Sequence, residues 1–142
     1  MDPNLPMRHC NAFTLRRAAR AITQLYERHI ALSGLTSSQF SIISAVRHAP
    51  GMSMAELAET MGMDRTTLVR ALKPLQRDRL VVTVAALKGS RQLALNLSAE
   101  GMARYEGALP YWMAAQKEFE ARVGTDRARK LREELLEIGS LS

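Results

Sequence analysis

The sequence predicts a mainly α-helical chain with one small β-hairpin, the two set between long terminal helices. Three observations carry that prediction. The run Ser53–Arg70 reads as two short helices meeting at a tight turn. Val81–Ala86 and Gln92–Leu97 then switch to extended, β-compatible runs on either side of Gly89-Ser90. Long amphipathic patterns with helical spacing occupy both ends of the chain.

Residues 1–9, with Pro3 and Pro6, read as a flexible arm, and residues 10–142 as a single domain. A long helix is expected from Asn11 to Leu32. Leu15, Ala18, Ile22, Leu25, His29 and Leu32 form its apolar stripe, and Arg16, Arg17, Arg20 and Arg28 lie off it. His29, on that stripe, is expected to pack. Gly34 ends the helix, and Thr36 with Gln39 forms a capping box for a second helix reaching about Arg47. Pro50-Gly51 breaks the chain before the two-helix motif.

Within that motif, Ser53 and Glu56 form another capping box, and Asp64 caps the helix beginning at Arg65. Ala58 lets the helices cross closely, Gly62 permits a left-handed turn, and Leu68 locks the second helix onto the first. A helix-turn-helix followed directly by a hairpin is a winged helix-turn-helix. Its lobe is expected over about residues 36–97.

Ser98 caps the next helix. Met102, Leu109, Gln116 and Val123 hold one seam position, and Tyr105, Trp112 and Phe119 the other. Ala128, Leu131, Leu135 and Ile138 continue such a seam in a last helix from about Thr125. A winged helix needs no such extra length, so the helices over about 10–33 and 98–142 are expected to form a dimerisation layer. Pro110 is expected to kink or interrupt its helix near Tyr105–Leu109.

The net charge of +6 is concentrated: Asp64–Arg91 holds seven basic and two acidic residues, a net +5. A polyanion is the natural partner. Leu68, Leu72 and Leu75 form the inward stripe of the second motif helix. Arg65, Thr66, Thr67 and Arg70 occupy its first turns, where base edges are reached, and Lys73 and Arg77 lie further along, where phosphates are held. Lys88 and Arg91 sit at the wing, placed to enter the adjacent minor groove or to grip its rim. The expected partner is double-stranded DNA.

The order of elements resembles the MarR family of bacterial transcription regulators across about residues 10–140. The resemblance is carried by Ala55-Glu-Leu-Ala-Glu-Thr-Met-Gly-Met-Asp-Arg-Thr-Thr-Leu-Val-Arg70 and by Leu97-Ser-Ala-Glu-Gly101 after the hairpin. It implies a homodimeric repressor on a pseudo-palindromic operator, relieved by a small-molecule inducer or an oxidant. Three positions depart from the family pattern. Gly89 replaces the acid that steadies the wing arginine, Arg79 stands where Gly is usual, and Pro74 lies inside the recognition helix.

Cys10 is the only cysteine, which rules out an intrachain disulfide and fits a reducing cytoplasm. Its basic neighbours and helix N-terminus make it a candidate redox sensor, although a lone thiol is more often merely present. Phe13, Tyr26, Phe40 and Trp112 are candidate lining for a ligand pocket. Met1–Arg8 lacks a signal-peptide core, and no apolar run is long enough to span a bilayer. His9, Cys10, His29 and His48 have no metal-binding spacing, and no cofactor is expected. Phosphate-loop and nucleophile motifs are missing, so an enzyme is not expected. The competing reading is a winged-helix protein-interaction module that docks through its terminal helices.

Overall fold

The computed structural model describes residues 5–86 and 92–140. A short helix, α1 (Leu5–Arg8), precedes α2 (Asn11–Ile30), and a 3-10 turn at Ala31–Ser33 leads to α3 (Ser37–His48). The motif helices are α4 (Met54–Met61) and α5 (Arg65–Arg77). Strands β1 (Val81–Ala85) and β2 (Leu93–Leu97) follow, then α6 (Ala99–Val123) and α7 (Thr125–Gly139). No helix among the described residues is long and apolar enough to cross a membrane.

The caps match the sequence reading. Thr36 and Gln39 exchange both capping-box bonds, at 3.0 and 3.1 Å. Ser53 and Glu56 do the same at 3.1 Å each. The hairpin pairs antiparallel, with Val81 opposite Leu97 and Ala85 opposite Leu93. One pairing was not foreseen: Met52 bridges Leu95, tying the loop before α4 to the hairpin. A single paired residue leaves no alternation to read in a sequence.

The core gathers Ile42, Ile43 and Val46 of α3, Leu57 of α4, Leu68, Leu72 and Leu75 of α5, and Leu80, Val81 and Leu95 at the hairpin. Fully burying each leucine or isoleucine stabilises the lobe by about 1.5–3 kcal/mol.

Several helix-end expectations are corrected. The long first helix ends at Ile30 rather than Leu32, because Gly34 turns left-handed (φ 83°) and the Ser33 hydroxyl donates to the Ile30 carbonyl at 2.6 Å. Leu32 is left 70% exposed. Part of the N-terminal arm, residues 5–8, is helical. His29 is half-buried against α6, as expected of a packing residue, and its Nε2 lies 3.3 Å from Glu118 Oε2 there. Arg28 and Arg122 reach the same carboxylate. The His29 hydrogen bond, then Arg122 and Arg28, hold Glu118 below its usual carboxylate range.

Helix α6 continues through Pro110 without interruption. Proline removes one backbone bond, to the carbonyl four residues earlier, and half-buried Leu109 and Trp112 anchor the turns on either side. The deepest line on α6 is Gly101, Ala108 and Ala115, with the large seam residues flanking it. Small residues mark the closest approach to neighbouring elements. In α7 only Ala128 is buried; Leu131, Leu135 and Ile138 remain 37%, 39% and 50% exposed.

Candidate nucleic-acid interface

Two left-handed turns set the angle at which α5 is presented. At the first, Gly62 (φ 64°) closes α4, with its N–H donating to the Glu59 carbonyl and the Met63 N–H to the Ala58 carbonyl. At the second, Arg79 N–H donates to Gln76 and Leu80 N–H to Leu75, the same six-to-one and five-to-two pattern. Arg79 is the only non-glycine with positive φ among the described residues, at 58°. The turn keeps the geometry glycine would give, and arginine carries a cost of about 1–2 kcal/mol for it. Buried Leu75 and Leu80 and the Ser98 hydroxyl, which donates to the Arg79 carbonyl at 2.6 Å, hold the strained residue in place.

The start of α5 is fixed by Asp64, whose carboxylate accepts the Thr67 N–H at 2.7 Å. That backbone bond, followed by the Thr67 hydroxyl, holds the Asp64 carboxyl below its ordinary value. Pro74 lies within α5, yet the helix runs on to Arg77, with Leu72 and Leu75 buried on either side of it.

Arg65, Thr66, Arg70 and Lys73 come together around one open cleft of about 360 Å³, with Val69 at its wall. All five are exposed. Thr67 points elsewhere: it serves the Asp64 cap and does not line the cleft. Arg77, also outside it, pairs through Nε with Asp78 at 3.3 Å. Exposed pairs of that kind are worth at most about 1 kcal/mol, so its guanidinium is readily recruited elsewhere. Lys88 and Arg91, with Gly89, lie outside the described residues.

The four expected pocket residues divide. Phe40 and Trp112 line a cleft of about 460 Å³ between α3, α4 and α6, together with Ser44, His48, Thr60 and Tyr105. Phe40 stacks on Tyr105 (5.7 Å, 9°) and on Trp112 (6.2 Å, 27°), and His48 meets Tyr105 edge-on. Tyr26 lies outside that lining, and its hydroxyl donates to Gln116 Oε1. Burial, then the nearby Glu120 carboxylate, pushes that hydroxyl up. Phe13 is also outside it, near the start of α2. Sequence reading missed Tyr105 and His48 as lining residues. The spacing of Tyr105 marks a packed seam, His48 is exposed at the end of α3, and only the fold brings α3 opposite α6.

Cys10 is half-buried and caps α2, its Sγ accepting the Phe13 N–H at 3.4 Å. The thiol is thus held by the helix start rather than by a loose segment.

This architecture recurs in known proteins. Residues 33–92 match the MarR family model. The homoprotocatechuate degradative operon repressor of Escherichia coli is 26% identical over 129 residues, covering 89% of this chain and 87% of that protein. The PcaV transcriptional regulator from Streptomyces coelicolor, solved with its natural ligand, shares the fold at a TM-score of 0.83 and 20% identity, covering 95% of both chains. The M. tuberculosis transcriptional regulator MosR, solved in complex with DNA, has a TM-score of 0.81 and 37% identity, covering 92% of this chain and 94% of that one. Identity at that level across nearly the whole chain, together with the family-model match over the helix-turn-helix and hairpin, makes this protein a member of the MarR family.

Proposed function

We infer that the protein is a transcriptional repressor that binds double-stranded DNA as a homodimer. The observation that carries this reading is the convergence of Arg65, Thr66, Arg70 and Lys73 on one exposed cleft of α5. Arg65, Thr66 and Arg70 read base edges in the major groove, and Lys73 and Arg77 hold phosphates. Thr67 fixes the helix start, with Lys88 and Arg91 of the wing as further DNA contacts. MosR, the relative solved on DNA, supports the same use of the fold. The apolar stripe Leu131, Leu135 and Ile138 on α7, left exposed in one protomer, is the dimer contact.

An inducer occupies the cleft walled by Phe40, Tyr105 and Trp112. That cleft joins α4 of the motif to α6 of the terminal layer, so filling it alters how the DNA-reading lobe sits on the dimer. Oxidation of Cys10 is a second input, because the thiol caps α2.

Fluorescence anisotropy on duplex DNA from the gene's own upstream region tests the reading. Binding should weaken steeply with salt, by about 0.9 log units per log unit of salt for each phosphate neutralised. Arg70→Ala should weaken it throughout. Failure to bind even at low salt, with Arg70→Ala indistinguishable from the parent, would return the protein to a docking module. Release by peroxide that persists in Cys10→Ser would exclude Cys10 as the sensor.

A further inference from the structure

Val69 is the residue of α5 that neither the core nor the positive surface explains. The other large aliphatic side chains of that helix, Leu68, Leu72 and Leu75, are buried at 0–1% exposure, whereas Val69 is 36% exposed. It stands apart from the core cluster. Its place is one helical turn after Arg65 and one before Lys73, on the same face, and it shares their cleft with Thr66 and Arg70. A β-branched side chain in an exposed helix interior is also a poorer helix former than alanine, lysine or arginine.

An isopropyl group among cations is a poor neighbour for phosphate, which it would strip of water. The major groove, however, offers one apolar group on a base edge, the 5-methyl of thymine, and short aliphatic side chains are what contact it. We propose that Val69 is a specificity-determining residue that packs on a thymine methyl in each half-site, beside the polar base contacts of Arg65, Thr66 and Arg70. The proposal rests on the DNA-binding reading and adds a base preference to it.

The test begins with a duplex enriched from a randomised pool by the full chain. Each thymine is then replaced in turn by deoxyuridine, which removes only the methyl group, and affinity is read by anisotropy at fixed salt. One symmetry-related pair of positions should lose about four-fold in affinity per half-site, the effect of one buried methyl. In Val69→Ala, which withdraws two methyl groups from the contact, the same replacement should cost less than about two-fold, while its melting temperature stays at or slightly above the parent's. An enriched duplex with no methyl-sensitive thymine overturns the assignment, as does a sensitivity undiminished in Val69→Ala. Those results leave the DNA-binding reading intact. Failure to enrich any sequence removes both.

Discussion

The contact between Gly101 and the Leu80 carbonyl makes the sharpest quantitative test of the packing. A Cβ built on Gly101 would lie 2.1 Å from Leu80 O, 3.0 Å from its carbonyl carbon and 3.3 Å from its Cα, all backbone atoms. That oxygen cannot simply swing aside. It accepts the Ser98 N–H at 3.1 Å, and Leu80 is only 2% exposed. Relief requires α6 to lift from the end of α5 by roughly 1 Å, an overpacking cost of about 1–3 kcal/mol. Alanine's better helix propensity returns at most about 1 kcal/mol. Gly107, in the same helix, has nothing within 4 Å of its would-be Cβ. For a chain of 142 residues the unfolding entropy is roughly 0.3 kcal/mol/K, so 1 kcal/mol moves the melting temperature by about 3–4 °C. Gly101→Ala should therefore melt up to about 7 °C below the parent and Gly107→Ala about 3 °C above it, by circular dichroism at one fixed protein concentration. A Gly101→Ala protein that gains the roughly 3 °C expected of Gly107→Ala would refute the close approach.

Three further outcomes follow from the same geometry. Arg79→Gly should raise stability by about 0.5–1 kcal/mol, the left-handed strain relieved less the entropy of an added glycine, whereas Arg79→Ala should give no gain; thermal melting separates them. Trp112 is the only tryptophan, so its fluorescence should respond when an aromatic ligand enters the Phe40–Tyr105 cleft, and Phe40→Leu should weaken that response several-fold without altering DNA affinity in the absence of ligand. The Asp64 carboxyl titrates below its unfolded value, so its support of α5 is complete above the ordinary carboxylate range and is lost as pH falls through the lowered value. Asp64→Asn keeps a capping oxygen without the charge and should flatten that part of the acid limb in a melting series from neutral pH to about pH 3.

Much of the fold was legible because its signals are local. A capping box needs residues three apart, and Thr36/Gln39 and Ser53/Glu56 both formed as their spacing implied. Gly62 and Asp64 likewise act within a single turn of their own helices. Tertiary features were less readable. The buried line of α6 runs through Gly101, Ala108 and Ala115, while a hydrophobic pattern draws attention to larger neighbours such as Trp112 and Phe119. His29 sits on an apolar stripe in sequence, but its partner Glu118 is 89 residues away. On α5, Thr66, Arg70 and Lys73 were readable as one face from helical periodicity, which also drew in Arg77, and Arg65 from its place in the first turn. Val69 was not, because one exposed valine on a helix is ordinary until the cleft around it is known.

A homodimeric reader must set its two copies of α5 on one face of a DNA duplex. Hydroxyl-radical footprinting of the enriched duplex, bound by the full chain, measures that arrangement directly. A homodimeric reader leaves protected tracts related by two-fold symmetry and centred about one helical turn, roughly 34 Å, apart. A single tract, or protection without symmetry, would contradict it.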